Sequence, residues 1–188
     1  MSFKSFPPIF DEQCRLLILG SFPSVKSREV SFYYGNKQNR FWGVLEEALG
    51  LDKFAAPSDK AAFLLERHIA LWDVVCECEI KGSSDSSLVC LKPNEVDRLI
   101  KGGSIKTILC NGTTAFKLLN RYFPDIDANT VLLPSTSPAN VRFDREKWLD
   151  ALKIKPAEKS AGFKYEFFSL YFAVLHQSIN CIRGQPLL

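Results

Sequence analysis

Amides, hydroxyls and aromatic rings gather in two short stretches of this 188-residue chain. The first runs Gly20-Ser21-Phe22-Pro23-Ser24 and continues through Tyr33-Tyr34-Gly35-Asn36-Lys37-Gln38-Asn39-Arg40-Phe41-Trp42. The second is Pro134-Ser135-Thr136-Ser137-Pro138-Ala139-Asn140. Each follows an apolar run, Leu16 to Leu19 and Val131 to Leu133. Such side chains can bind a flat heterocycle by stacking and by hydrogen bonds to its edge. They can also stabilise developing charge with preorganised dipoles in place of a strong acid or base. Two loops of this character after two buried strands predict the two walls of one active site.

Other chemistries lack their residues. There is no G-x-S-x-G elbow, no G-x-x-x-x-G-K-[ST] and no G-x-G-x-x-G, so hydrolase, triphosphate and dinucleotide signatures are absent. His68 precedes a strand and His176 lies in a C-terminal apolar segment, so both read as structural. Cys76-Glu77-Cys78 is the one close cysteine pair, and its spacing suits neither zinc nor an iron–sulfur cluster. No metal and no cofactor are expected. The six cysteines follow no apolar signal core, and Cys14 and Cys110 border strand-like runs, which predicts free thiols in a reducing, cytoplasmic setting. No apolar stretch approaches the roughly 20 residues of a spanning helix, so no membrane is expected. A formal charge of +3 permits a nucleic-acid partner through a local basic face without announcing one.

Elements that position the two loops alternate along the chain. Strand-like runs are Arg15 to Leu19, Ile69 to Val75, Ile105 to Cys110 and Thr130 to Leu133. Helix-like stretches are Arg40 to Leu49, Ser58 to Arg67, Pro93 to Ile100, Thr113 to Arg121 and Asp144 to Leu152, with Ser58 as an N-cap and Pro93 in a first turn. The alternation predicts a single domain of the α/β class, a three-layer α/β/α sandwich with a mostly parallel sheet. Ligands of such sheets bind beyond the carboxyl ends of the strands. The loops there are Ser21 to Asn39, Cys76 to Ser87, Asn111 to Thr113 and Ser135 to Asn140. Lys155 to Phe163 reads as a surface loop, and Tyr165 to Ile179 as a helix or a strand followed by a helix.

The two loops together with Leu71-Trp72-Asp73-Val74 and Gly82-Ser83-Ser84-Asp85-Ser86-Ser87 resemble the uracil-DNA glycosylase superfamily, closest to its hypoxanthine-DNA glycosylase (DNA-deoxyinosine glycosylase) branch. Asn39-Arg40-Phe41-Trp42 alone carries little; all the segments in order, over roughly residues 15 to 152, carry the resemblance. It implies a four-stranded parallel sheet between helices and base excision from DNA without a cofactor. Tyr34 stands where related enzymes stack an aromatic on the flipped base. Phe22 occupies the position of the catalytic asparagine in the mismatch-specific branch, whose loop reads Gly-Ile-Asn-Pro-Gly. The hypoxanthine branch assigns that role to the asparagine before Arg-Phe-Trp, here Asn39. Gly20, Ser21, Phe22, Tyr34 and Asp73 are then the substrate-binding set, with Asp73 reading the base edge. Ser135, Thr136, Ser137, Pro138 and Asn140 pinch the DNA backbone and help fill the gap left by the flipped nucleotide. The partner is DNA containing a deaminated base, hypoxanthine first and uracil second, and the enzyme is a monofunctional glycosylase acting as a monomer.

Plainer roles stand beside these. Asn39 can cap a helix, Tyr33 or Tyr34 can be packing, and Phe41 and Trp42 read as core anchors. Asp73 can hold the following loop, Asp85 can cap one, and Ser135, Thr136 and Ser137 can be turn residues. Lys37, Arg40 and Arg142 are surface charges or phosphate contacts. A catalytically silent nucleic-acid-binding domain, with Phe22 as its signature, and a small-molecule hydrolase using Ser135 or Ser137 are the competing readings.

Overall fold

Leu16, Leu17, Ile18 and Leu19 are apolar at every position, as a parallel strand covered on both faces requires. The computed structural model describes residues 2–50, 56–80, 88–102 and 104–153. Its strands are β1 (Ser2–Lys4), β2 (Leu16–Gly20), β3 (Ile69–Asp73), β4 (Val75–Ile80), β5 (Leu88–Pro93), β6 (Thr107–Asn111) and β7 (Asn129–Leu133). Its helices are α1 (Val25–Glu29), α2 (Phe41–Ala48), α3 (Pro57–Glu66), α4 (Val96–Gly102), α5 (Thr113–Tyr122) and α6 (Arg145–Leu152). Gly82 to Ser87, the segments Lys155 to Phe163 and Tyr165 to Ile179, His176 and Cys181 lie outside the described residues.

Four strands form one all-parallel sheet in the order β3-β2-β6-β7, the expected α/β core. Alternation along β2 assigns its two faces. Leu16 and Ile18 join Phe41, Trp42, Val44, Leu45, Leu64, Trp148 and Leu152 from α2, α3 and α6. Leu17 and Leu19 join Val96, Ile100, Ala115 and Leu119 from α4 and α5. Burying one such leucine contributes about 1.5–3 kcal/mol. The ion pairs among the described residues, such as Lys26–Glu29 and Arg98–Glu95, are exposed. Exposed pairs are worth about 0–1 kcal/mol each, so the two apolar layers hold the fold.

A second, three-stranded antiparallel sheet, β1-β4-β5, departs from the expected single sheet. The run expected from Ile69 to Val75 breaks at Val74, whose N–H donates to Gly20 O. The chain then enters β4, so Cys76-Glu77-Cys78 is strand and not loop. Pro93 ends β5 instead of opening a helix. It sits on an edge strand, where a missing N–H breaks no ladder. Ser58 is not an N-cap: Ala56 holds that place, Pro57 is the first helical residue, and the Asp59 carboxylate accepts from Ala56 N at 2.9 Å.

Register aligns the carboxyl ends of the parallel strands. Gly20 pairs with Asp73 and Asn111 with Leu133. Strand order reverses between β2 and β6, and a crevice opens at such a switch point. His68, in a left-handed turn at φ 57°, lies at the opposite, amino end, its carbonyl accepting from Arg15 N and Leu16 N.

Gly20 is the tightest point of that row. A Cβ there would collide with Asp73 Oδ1 and lie 3.0 Å from the Tyr34 hydroxyl oxygen. Overpacking of this kind costs about 1–3 kcal/mol, so Gly20→Ala is expected to lower stability by that amount in urea titration. Cys14, Cys76, Cys78 and Cys110 are free thiols. Burial pushes the Cys14 and Cys110 thiols up to about 12. Peptide-resolved alkylation at pH 8 should therefore leave both unmodified in the folded protein and modify them in urea; labelling of either before unfolding would contradict their burial.

Candidate functional site

The first loop leaves β2 and is held in shape from within. Val75 N donates to Ser21 O, and Ser24 caps α1, its Oγ accepting from Ser27 N at 3.2 Å. The Ser27 hydroxyl then accepts from Gly35 N at 3.1 Å, drawing the tyrosine segment back over α1. Arg28 Nη1 donates to Pro23 O, and its guanidinium lies 4.4 Å from the Phe3 ring centroid and 5.7 Å from that of Phe22. Phe22 is buried with Val75 and Cys78 under the second sheet. Its side chain is a packing group there, which leaves the loop backbone as its contribution to a site.

Tyr33 and Tyr34 lie in a turn, not a strand, and Tyr34 takes a left-handed conformation at φ 51°. Tyr33 is core: 4% exposed, its hydroxyl donates to Pro7 O at 2.9 Å and its carbonyl accepts from Trp42 Nε1 at 3.0 Å. Tyr34 is half-buried and stacks on Phe41, with centroids 3.9 Å apart. Phe41 is fully buried and meets Trp42 and Trp148 edge-on, so the ring carrying Tyr34 is fixed by the core. Asp73 is 3% exposed, its Oδ2 faces Ser5 Oγ at 3.4 Å, and its carbonyl accepts from Asn94 Nδ2 at 2.8 Å. Gly20, Tyr34 and Asp73 therefore meet at one point.

Asn39 stands just before α2. Its Oδ1 accepts from Phe41 N at 3.0 Å, a turn bond to the residue two positions on; Arg40 holds the N-cap place of α2 without a side-chain bond, so the expected N-cap role does not fall to Asn39. Among the described residues its Nδ2 donates to no partner, and the residue is half-buried at the loop.

The second loop is anchored to the end of β6. Asn111 Oδ1 accepts from Thr136 N, and Asn111 Nδ2 donates to Thr136 Oγ1, both at 2.9 Å. Gly112, at φ 97°, lets the loop close over it, since a Cβ would sit 2.8 Å from Ser135 Cβ. Trp148 Nε1 donates to Pro134 O at 2.8 Å, and Asn140 Nδ2 to Ser135 O at 2.8 Å. Thr136 is fully buried and shapes the loop from inside, while Ser135, Ser137, Pro138 and Asn140 are half-buried on it.

Arg40 joins the two loops. Its N–H donates to Thr136 O at 3.1 Å, and Nη1 donates to Ser137 O at 3.0 Å and Asn140 O at 3.1 Å. This inward role is absent from a sequence reading that sees only a cation beside an amide. Asn94 and Val141 are likewise additions. Asn94 braces Asp73, and Val141 follows the loop with 92% of its surface exposed. Among the described residues no group of three or more His, Cys, Asp or Glu side chains is placed to hold a metal ion, and no helix is long and apolar enough to cross a membrane.

Similarity to known proteins agrees with this layout. A Hypoxanthine DNA glycosylase of Methanosarcina acetivorans is 34% identical over 149 residues, 77% of this chain and 92% of the relative. A Hypoxanthine DNA glycosylase of Methanosarcina barkeri is 32% identical over 164 residues, 81% of this chain and 99% of the relative. The solution NMR structure of a candidate uracil DNA glycosylase from Methanosarcina acetivorans superposes with a TM-score of 0.72 at 32% identity, covering 81% of this chain and 97% of that one. Residues 7–161 match the Uracil DNA glycosylase superfamily, and the chain belongs to that superfamily.

Proposed function

We propose that this chain is a monofunctional DNA glycosylase that releases hypoxanthine first, and uracil second, from deaminated DNA. The observation that carries the reading is the meeting of Gly20, Asp73 and Tyr34 at the carboxyl end of β2, with Asn39 on the same loop. The names of the two Methanosarcina relatives support hypoxanthine as the first substrate.

DNA lies along the loop edge, and the damaged nucleotide is extruded at a cost of a few kcal/mol. Tyr34, braced by Phe41, stacks on the base, an interaction worth about 1–3 kcal/mol. Asp73 accepts from an N–H of the base edge. Water adds at the sugar carbon as the N-glycosidic bond breaks, leaving a free base and an abasic site. Negative charge develops on the departing base. Asn39 Oδ1 is engaged by Phe41 N, so the Nδ2 donor is the group directed at that base or at the water; an amide is no base at neutral pH. Backbone N–H groups near Phe22 add to the stabilisation. Ser135, Ser137, Pro138 and Asn140 meet the DNA backbone on a loop whose shape Thr136 sets.

The test is base release from end-labelled DNA carrying one deoxyinosine or one deoxyuridine, read by alkaline cleavage at the abasic site. Cleavage at deoxyinosine is expected. Cleavage at deoxyuridine alone would reject the substrate order, and binding without cleavage at either base would favour a silent binder. Asn39→Asp retains an oxygen that accepts from Phe41 N but lacks the amide donor. Its release rate is expected to fall about 100-fold with folding intact. A loss of only a few-fold would remove Asn39 from catalysis.

A further inference from the structure

The glycosylase reading leaves Arg40 without an assigned part, although it touches both loops. We infer that Arg40 is a positioning residue for base release, making the 135–140 loop and the backbone of Asn39 one mechanical unit. The inference rests on that reading. A phosphate-binding arginine turns its fork toward the nucleic acid. Arg40 instead places Nη1 between Ser137 O at 3.0 Å and Asn140 O at 3.1 Å. Its guanidinium lies 4.9 Å from the centroid of the Phe143 ring. The residue's own N–H reaches Thr136 O at 3.1 Å, so main chain and side chain of one residue grip three carbonyls of the loop. Among the described residues no carboxylate pairs with it.

Two further bonds make this grip directional. The loop is fixed to the sheet through Asn111 and Thr136, and Arg40 is the residue that opens α2 directly after Asn39. Seating the 135–140 loop on DNA is thereby transmitted through three hydrogen bonds to the peptide that carries Asn39. A displacement of about 1 Å at a reacting group can cost about 100-fold in rate, so a residue that never meets the base can govern its release.

Two readouts separate positioning from phosphate contact, measured on wild type, Arg40→Ala and Arg40→Lys. One is single-turnover hypoxanthine release at saturating enzyme from a duplex with one deoxyinosine. The other is equilibrium binding to a duplex carrying a tetrahydrofuran abasic-site analogue across a sodium chloride series. For Arg40→Ala the saturated rate should fall about 10-fold or more while the log–log salt slope stays at the wild-type value. Arg40→Lys keeps the charge but loses the planar fork over Phe143, and should also lose rate without a change of slope. Should a melting scan show that Arg40→Ala does not fold, Arg40→Lys decides on the same two readouts. A slope reduced by about 0.9 with an unchanged saturated rate would mark a phosphate contact and overturn the inference. Unchanged values of both would overturn it as well. Wild-type protein that releases no base fails the glycosylase reading itself and takes the inference with it. Wild-type release matched by the variants fails the inference alone.

Discussion

No side chain fits at Gly20. The space its Cβ would occupy is taken by the Asp73 carboxylate from the neighbouring strand and by the Tyr34 hydroxyl from the loop. That constraint ties three parts of the chain to one point: the end of β2, the end of β3 and the turn before α2. It also explains the left-handed Tyr34, since a φ of 51° is what brings the ring back onto Phe41 while its hydroxyl reaches Gly20. Such a backbone state costs of order 1–3 kcal/mol and persists where surroundings dictate it. Here the surroundings are a buried ring stack and a parallel sheet.

From that point outward, polar bonding replaces regular structure. Ser24 and Ser27 shape the first loop, Asn111 and Thr136 the second, and Arg40 bridges them. Ser24, Ser27, Asn111 and Arg40 each satisfy a main-chain donor or acceptor that a loop leaves without a ladder partner, and Thr136 Oγ1 accepts from the Asn111 amide. The second sheet has a supporting part. Phe22 and Phe3 pack there around Arg28, which holds the Pro23 carbonyl. A phenyl ring at position 22 is thereby explained as an anchor for the loop, and the amide role proposed for Asn39 lies at the other end of the segment.

Much of this layout was legible before any coordinates. The β2 run and the helices around it have periodicities that burial on two faces demands, and the 21–39 and 135–140 loops do follow the parallel strands β2 and β7, whereas the expected loop from Cys76 begins as β4. The antiparallel sheet was not legible, because Ser2 pairs with Glu79 and no local window contains both residues. A signal did exist in β4, where buried Cys78 and exposed Glu79 follow a strand's alternation. Arg40 was the least legible residue. Its carbonyl partners lie 97 and 100 positions away, and a charged side chain in sequence looks the same whether it faces solvent or grips a loop. Which of Tyr33 and Tyr34 packs is not legible in the sequence; the segment is a turn in which Tyr33 enters the core.

The central claim is that a base sits at the Gly20–Asp73–Tyr34 junction, within reach of Asn39. The most direct measurement is a crystal structure of the protein with a duplex carrying 2′-fluoro-deoxyinosine, whose glycosidic bond resists cleavage because the fluorine disfavours positive charge on the sugar. The account predicts hypoxanthine out of the helix and stacked on Tyr34, its edge bonded to Asp73 and the Asn39 amide. A base still stacked in the duplex over a fully seated 135–140 loop, or lodged away from Tyr34, would contradict it.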